Sequence, residues 1–290
     1  MCEDPPRGQN DRERSVRELS GKVAVVTGGA SGIGQGMVTA FAQAGMHVVI
    51  ADVDLPAAEK VAGEARALGV KALAVATDVA RRDSVEALAE RVYRELGAAH
   101  LLCNNAGVAV FGELADMTDT DWRWLLGVNL EGVVNGLQAF LPRMKAQAGE
   151  KHIVNTASVA GVAAFAGLGV YVATKYAVVG ISESLRAEGE AYALGVSVLC
   201  PGVVRTRIFE SERNRPAELG QSKPFVPRQG SVPEALAVGI DPLVVGRRVR
   251  AAVQASEPYI FTHPATRALF ERRAAAIRAG FDAADAWRDD

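Results

Sequence analysis

The stretch Lys22-Val23-Ala24-Val25-Val26-Thr27-Gly28-Gly29-Ala30-Ser31-Gly32-Ile33-Gly34 decides how the rest of the chain is read. Its first six residues are nearly all apolar and rich in β-branched side chains, the pattern of a strand covered on both faces. The glycines that follow let the backbone turn sharply, and a helical pattern then begins at Ile33. A strand that passes through glycines into a helix N-terminus offers free N–H groups and partial positive charge to an anion. A glycine turn by itself is only a tight turn; the strand before it and the helix after it supply the context of a pyrophosphate site. Gly28, Ser31, Gly32, Ile33 and Gly34 are therefore candidate dinucleotide contacts.

Outward from this unit the pattern repeats. Further apolar runs lie at His47–Asp52, Lys71–Thr77, His100–Asn104, His152–Thr156 and Val196–Cys200. Helix-period stretches separate them at 33–45, 55–69, 82–97, 117–147 and 170–194. Gly45, Gly69, Gly97, Gly149 and Gly195 each fall just past a helical stretch, where a left-handed cap belongs. Such alternation needs right-handed crossovers and predicts an α/β fold, a doubly wound parallel sheet of Rossmann-like type in a single domain over 21–290. Residues 1–20 carry mixed charge without an apolar run and read as a loosely ordered tail. From Gly202 to Ile240 the alternation fails among several prolines; a connection this long reads as a substrate loop. A helix (Asp241–Ala255), a strand (Tyr259–Thr262) and an Arg/Ala-rich helix (Ala265–Gly280) follow.

Composition narrows the function. Of 290 residues, 49% are hydrophobic and 23% charged, which fits a globular chain rather than a disordered or fibrous one. With 32 basic and 34 acidic residues the net charge is −2, so no overall field recruits nucleic acid or an anionic membrane. Three cysteines, Cys2, Cys103 and Cys200, form neither a disulfide framework nor a CxxC pair, so no metal site is expected. The most apolar stretch, Val159–Ala173, is shorter than the roughly 20 residues that span a bilayer. These features predict a soluble, cytoplasmic protein.

Asp52 ends the second run, about as far beyond the glycines as an acid that bonds both hydroxyls of an adenosine ribose. A carboxylate there repels a 2′-phosphate, and neither Ser31 nor Val53 supplies a compensating cation, so NAD is the expected cofactor. Asp78-Val79 and Asn104-Asn105-Ala106-Gly107 end the third and fourth runs, at the sheet edge where open α/β folds bind ligands. Tyr171 and Lys175, four residues apart, share a helix face. An ammonium beside a phenol favours the phenolate and brings a group of pKa about 10 towards the working range. Ser158 adds a hydroxyl at the same edge, and Asn129 lies on the long helix before it. Phe165, Phe209 and Phe225 are candidates for an apolar pocket wall. The four histidines, His47, His100, His152 and His263, read as structural. Trp122 or Trp124 is expected to pack in the core or at a subunit contact.

Taken together, TGGASGIG (27–34), Asp78-Val79, NNAG (104–107), Asn129, Ser158, YVATK (171–175) and PGVVRT (201–206) resemble the single-domain short-chain dehydrogenase/reductase family. The resemblance runs from about residue 21 to 206 in order and spacing, and more loosely to the end. It implies that Tyr171 exchanges a proton with the substrate oxygen and that Ser158 hydrogen-bonds that oxygen. Lys175 would lower the tyrosine pKa and hold the nicotinamide ribose, with Asn129 keeping a relay water beside it. Pro201, Val204 and Thr206 would fix the nicotinamide. The expected activity is NAD-dependent interconversion of a secondary alcohol and a ketone. Residues 128–144 and 206–216 are also similar to bacterial oxidoreductases that include benzylic alcohol dehydrogenases. Alternatives are a 3-oxoacyl carrier-protein reductase or a dinucleotide-sensing protein without chemistry. The family resemblance implies a homo-oligomer, dimer or homotetramer, through the helices at 117–147 and 170–194.

Overall fold

The computed structural model describes residues 16–223 and 239–287. The opening apolar run forms β1 (Val23–Thr27), buried along its whole length. It takes a central place because its neighbours bury it on both sides: β2 (His47–Asp52) pairs with one edge and β4 (Leu101–Asn104) with the other. β3 (Ala72–Ala76), β5 (Lys151–Thr156), β6 (Leu194–Cys200) and β7 (Tyr259–Phe261) complete a parallel sheet of seven strands in the order β3-β2-β1-β4-β5-β6-β7. The order reverses between β1 and β4, and the crevice at the carboxyl ends of those two strands is where a ligand belongs.

The crossovers are α1 (Gly32–Ala42), α2 (Leu55–Arg66), α3 (Arg82–Leu96), the pair α4 (Asp119–Leu126) and α5 (Gly132–Ala146), and α6 (Gly169–Gly189). α7 (Pro242–Ala255) and α8 (Arg267–Ala286) flank β7. One core layer packs Met37, Phe41 and Ile50 with Val245, Val249 and Val253 of α7. The opposite layer packs Leu88, Leu102, Phe140 and Ile153. α1 and α7 cross at glycines: a Cβ on Gly36 would lie 2.1 Å from the Pro242 carbonyl, and one on Gly246 would lie 2.1 Å from the Gly36 carbonyl. That close approach needs both residues to lack a side chain. No helix among the described residues is long and apolar enough to cross a membrane.

Several local readings change. The 117–147 helix starts at Asp119, where Thr118 and Asp121 form a reciprocal capping box. It carries a π turn at Gly127–Glu131, a wider winding that recurs at functional sites. Gly195 lies inside β6, and it is Ala193 that takes the left-handed turn, at φ 50°. Gly45, Gly69, Gly97 and Gly149 all have positive φ as expected. The packed chain begins before residue 21: Val16 and Leu19 are buried against the first core layer. The described part of the 202–240 segment holds the 3-10 turns Ile208–Asn214 and Ala217–Leu219. Its base is closed, because Arg205 donates its N–H to the Ile240 carbonyl (3.0 Å) and Ile240 donates to Val203 (3.2 Å). An Arg205–Asp241 ion pair of 2.8 Å reinforces that closure. Phe225 lies outside the described residues.

Candidate active site

The glycine turn is fastened to the turn after β4. Thr27 Oγ1 accepts from the N–H groups of Asn105 (2.9 Å) and Ala106 (3.1 Å). Asn105 Nδ2 donates back to the carbonyls of Thr27 (3.0 Å) and Gly28 (3.3 Å). Gly34 faces this clasp so closely that a Cβ would fall 2.0 Å from the Gly28 carbonyl. Gly28 adopts φ 62° against Ala106, a conformation that suits glycine. Ser31 is the N-cap of α1, and its side chain makes no capping bond, so the first-turn N–H groups stay available to an anion.

Asp52 is held by its neighbours: one carboxylate oxygen accepts from Ala30 N–H (3.0 Å) and the other from Asp54 N–H (3.1 Å). Asp78 turns the chain after β3 by accepting from Ala80 N–H (3.0 Å). The Val79 carbonyl accepts from Asn135 Nδ2 (2.8 Å). The expected absence of a cation near Asp52 needs correction. Arg213, on the Ile208–Asn214 3-10 turn, lines the same cavity as Asp52 and Asp54. Burial and neighbouring Arg207 pull its guanidinium down from the ordinary range, against Glu210, Asp52 and Asp54. One nitrogen of that guanidinium is engaged by the carbonyls of Arg207 and Glu210, both at 2.8 Å.

Asn129, fully buried on the π turn, clasps the backbone of Val108: Oδ1 accepts from its N–H (2.8 Å) and Nδ2 donates to its carbonyl (2.9 Å). Nδ2 also donates to Thr174 Oγ1 (3.2 Å). Asn129 and Lys175 flank one spot, since a Cβ on Gly107 would lie 3.5 Å from Asn129 Oδ1 and 3.5 Å from Lys175 Nζ. Lys175 is buried and donates to the Thr156 carbonyl at 2.9 Å. Its Nζ lies 5.5 Å from the centre of the Tyr171 ring. Ser158 ends the turn after β5, accepts from Ala160 N–H (3.1 Å) and lines the same cavity as Tyr171.

The protonation pattern departs from the expected one. Desolvation pushes the Tyr171 hydroxyl up to about 12, with the Ser158 hydroxyl opposing it. Burial pulls Lys175 down to about 8, against the nearby Cys200 thiol. Desolvation is thus the leading cause at both groups, raising the phenol and lowering the ammonium.

A single cavity of about 670 Å³ joins these groups. Gly28, Ser31, Gly32, Ile33, Asp52, Asp78, Val79, Asn105, Ala106, Gly107, Ser158, Tyr171, Lys175, Pro201, Val204 and Thr206 all line it. Gly34 and Asn129 support it from behind. Beyond Tyr171 the lining turns aromatic: Trp124, Phe165 and the stacked rings of Phe111 and Phe209, 4.5 Å apart and 11° from parallel. Phe111, Trp124, Arg207, Arg213 and His263 are lining residues that sequence reasoning did not assign to the site. Phe111 and Arg213 have no local motif to mark them; Trp124, one of the two tryptophans expected to pack in the core or at a subunit contact, is buried in the core and also lines the cavity. His263 Nδ1 accepts from Gly202 N–H (3.2 Å), so it joins the cavity wall, whereas His47, His100 and His152 bond strand backbone or Ser197.

The glycine cradle, the free helix N-terminus and the held Asp52 fit a dinucleotide. The chain matches the family described as short chain dehydrogenase over residues 22–217, and it belongs to that family of oxidoreductases, whose cofactors are nicotinamide dinucleotides. Among curated relatives, it is 36% identical over 266 residues to a C alpha-dehydrogenase of Sphingobium sp. strain SYK-6, covering 90% of this chain and 87% of that one. It is 30% identical to a CLA biosynthesis dehydrogenase/reductase of Lactiplantibacillus plantarum, covering 89% and 93%. A short chain dehydrogenase/reductase from Burkholderia phymatum, solved in complex with NAD, superposes with a TM-score of 0.84 at 37% identity, covering 91% of this chain and 96% of that one.

Proposed function

We propose that the chain interconverts an aromatic secondary alcohol and its ketone, with NAD as hydride acceptor and Tyr171 as general acid/base. The observation that carries this reading is the meeting of Ser158, Tyr171 and Lys175 on one cavity that Trp124, Phe165, Phe111 and Phe209 also line. An aromatic lining of this kind suits an aryl group better than a flexible chain. The likeness to the Sphingobium C alpha-dehydrogenase supports a dehydrogenase reading.

When bound, the dinucleotide supplies the hydride-accepting carbon and a cationic ring. The protein's own groups handle the proton. Once its own proton has left by way of Lys175 and solvent, Tyr171 Oη, as phenolate, would take the proton of the alcohol hydroxyl as the carbonyl forms. Ser158 Oγ, on the same cavity, steadies the same substrate oxygen. Lys175, anchored by the Thr156 carbonyl, is the readiest outlet for a proton, and Asn129 lies across Gly107 from it, where a water can bridge. Holding the reacting carbons near contact supplies most of the remaining rate. At the adenosine end, Asp52 and Asp54 outnumber Arg213, so the local charge opposes a 2′-phosphate and supports NAD over NADP.

The test is oxidation of a panel of 1-aryl and aliphatic secondary alcohols, followed by the absorbance of the reduced cofactor. Tyr171→Phe is expected to lower kcat by at least about a thousandfold while NAD still binds, the size of a lost proton-transfer group. Retained turnover in that variant, or equal rates on aliphatic and aryl alcohols, would contradict the proposal.

A further inference from the structure

One buried ion pair takes no part in the proton chemistry. Arg215 and Asp121 are 2% and 1% exposed in their side chains, 94 residues apart in sequence, and 2.7 Å apart at Nη1 and Oδ1. Arg215 belongs to the substrate loop; Asp121 belongs to the first turn of α4. The guanidinium also donates to Ser222 Oγ (2.5 Å), Thr120 Oγ1 (3.1 Å) and, more weakly, the Leu219 carbonyl (3.4 Å). It lies over the ring of Trp124, 5.0 Å from the centre. Ser222 Oγ in turn reaches Asp121 Oδ1 (2.7 Å), while the other carboxylate oxygen closes the capping box with Thr118. A second tie lies nearby, where Ala109 N–H donates to Ser211 Oγ at 3.0 Å.

Burying such a pair gains little stability over an apolar pair of the same volume, because both charges lose their water. What it does supply is geometry, since a planar fork bonded on several sides accepts one docked arrangement. Here that arrangement bears on the substrate wall. Trp124 packs in one cluster with Val108, Leu125 and Val170, against which Tyr171 and Leu219 are packed. Phe209, six residues before Arg215, is held against Phe111.

We propose that Arg215 and Asp121 form a latch that keeps residues 208–222 docked over the cleft, making Arg215 a positioning residue that sets the aromatic wall and thereby selectivity for aryl alcohols. The selectivity half rests on the function proposed above; the docking half does not.

The experiment compares Arg215→Gln, Asp121→Asn and the double variant with the full-length parent, using 1-phenylethanol and NAD, and in parallel follows tryptic cleavage after Arg207 and Arg213. Each single variant is expected to raise KM for 1-phenylethanol about tenfold, with kcat and NAD Kd within about threefold. Cleavage is expected to quicken at least about tenfold. The double variant is expected to be no worse than the worse single one, the non-additivity of a shared contact. Ser222→Ala, which removes one bond from the same guanidinium, is expected to show the same pattern more weakly and covers the case in which a charge variant fails to fold. Unchanged cleavage in folded variants, additive effects, or a lowered Tm with unchanged KM would overturn the latch. If the parent protein leaves 1-phenylethanol unoxidised, the aryl-alcohol reading and the selectivity half fail together, and cleavage still decides the docking.

Discussion

Replacing Lys175 with methionine should make this protein more stable and less active, with a stability gain that depends on pH. The lysine is 3% exposed, and burial lowers it from its ordinary 10.5 to about 8. Between those two pH values the unfolded chain holds a proton that the native chain lacks, so native stability rises with pH there. Below pH 8 the full cost of burying the ammonium is present; at about 1.4 kcal/mol per pH unit of the gap, it comes to about 3 kcal/mol. Lys175→Met removes that cost but leaves the Thr156 carbonyl without its 2.9 Å donor, a loss of about 1–2 kcal/mol. The net expectation at pH 7 is a gain of about 1–2 kcal/mol, or a Tm higher by roughly 2–8 °C for a domain of this size. Near pH 10 the gain should vanish and reverse, because the native lysine is then neutral and the remaining cost, set by the unfolded pKa of 10.5, has fallen below the worth of the lost hydrogen bond. Thermal unfolding of parent and variant at half-unit steps from pH 6.5 to 10.5 reads the difference directly. Turnover at pH 7 should fall, the exchange of activity for stability expected at a strained site. A Tm difference independent of pH, or a less stable variant at pH 7, would refute the reasoning.

Two further substitutions probe the cofactor end. Asp52→Asn should reduce the preference for NAD over NADP by at least about tenfold in kcat/KM, the worth of one charge–charge contact of about 1.4 kcal/mol; an unchanged ratio would mean Asp52 does not select the ribose. Gly34→Ala puts a methyl 2.0 Å from the Gly28 carbonyl and should weaken NAD at least about tenfold by calorimetry, because the turn must open to admit it.

What could be read beforehand depended on local signals. β1 and its glycine turn were legible because strand, turn and helix start follow each other within a dozen residues. Asp52 was legible because it ends a strand whose place beside β1 follows from chain order. The pairing of Tyr171 with Lys175 required only helical spacing. The π turn at Gly127–Glu131 was not legible, since a helix with one wider turn keeps nearly the same apolar period. The desolvation that raises the Tyr171 hydroxyl was not legible, since burial depends on how the cavity wall packs. Arg213 near Asp52, Phe209 on Phe111 and Arg215 on Asp121 join segments roughly a hundred residues or more apart, through the substrate loop, whose path no periodicity reveals.

The stapled base of that loop has an evolutionary consequence. With Val203, Arg205, Ile240 and Asp241 holding its two feet together, the intervening chain is a cassette whose ends are already closed. Lengthening such a cassette is cheap, about 0.6 kcal/mol for each doubling, so selection can trade one sequence for another beyond Thr206 without disturbing the glycine turn and Asp52 at the opposite end of the cofactor site. New substrate ranges would then arise by exchanging this one insert while the seven-stranded scaffold is inherited intact.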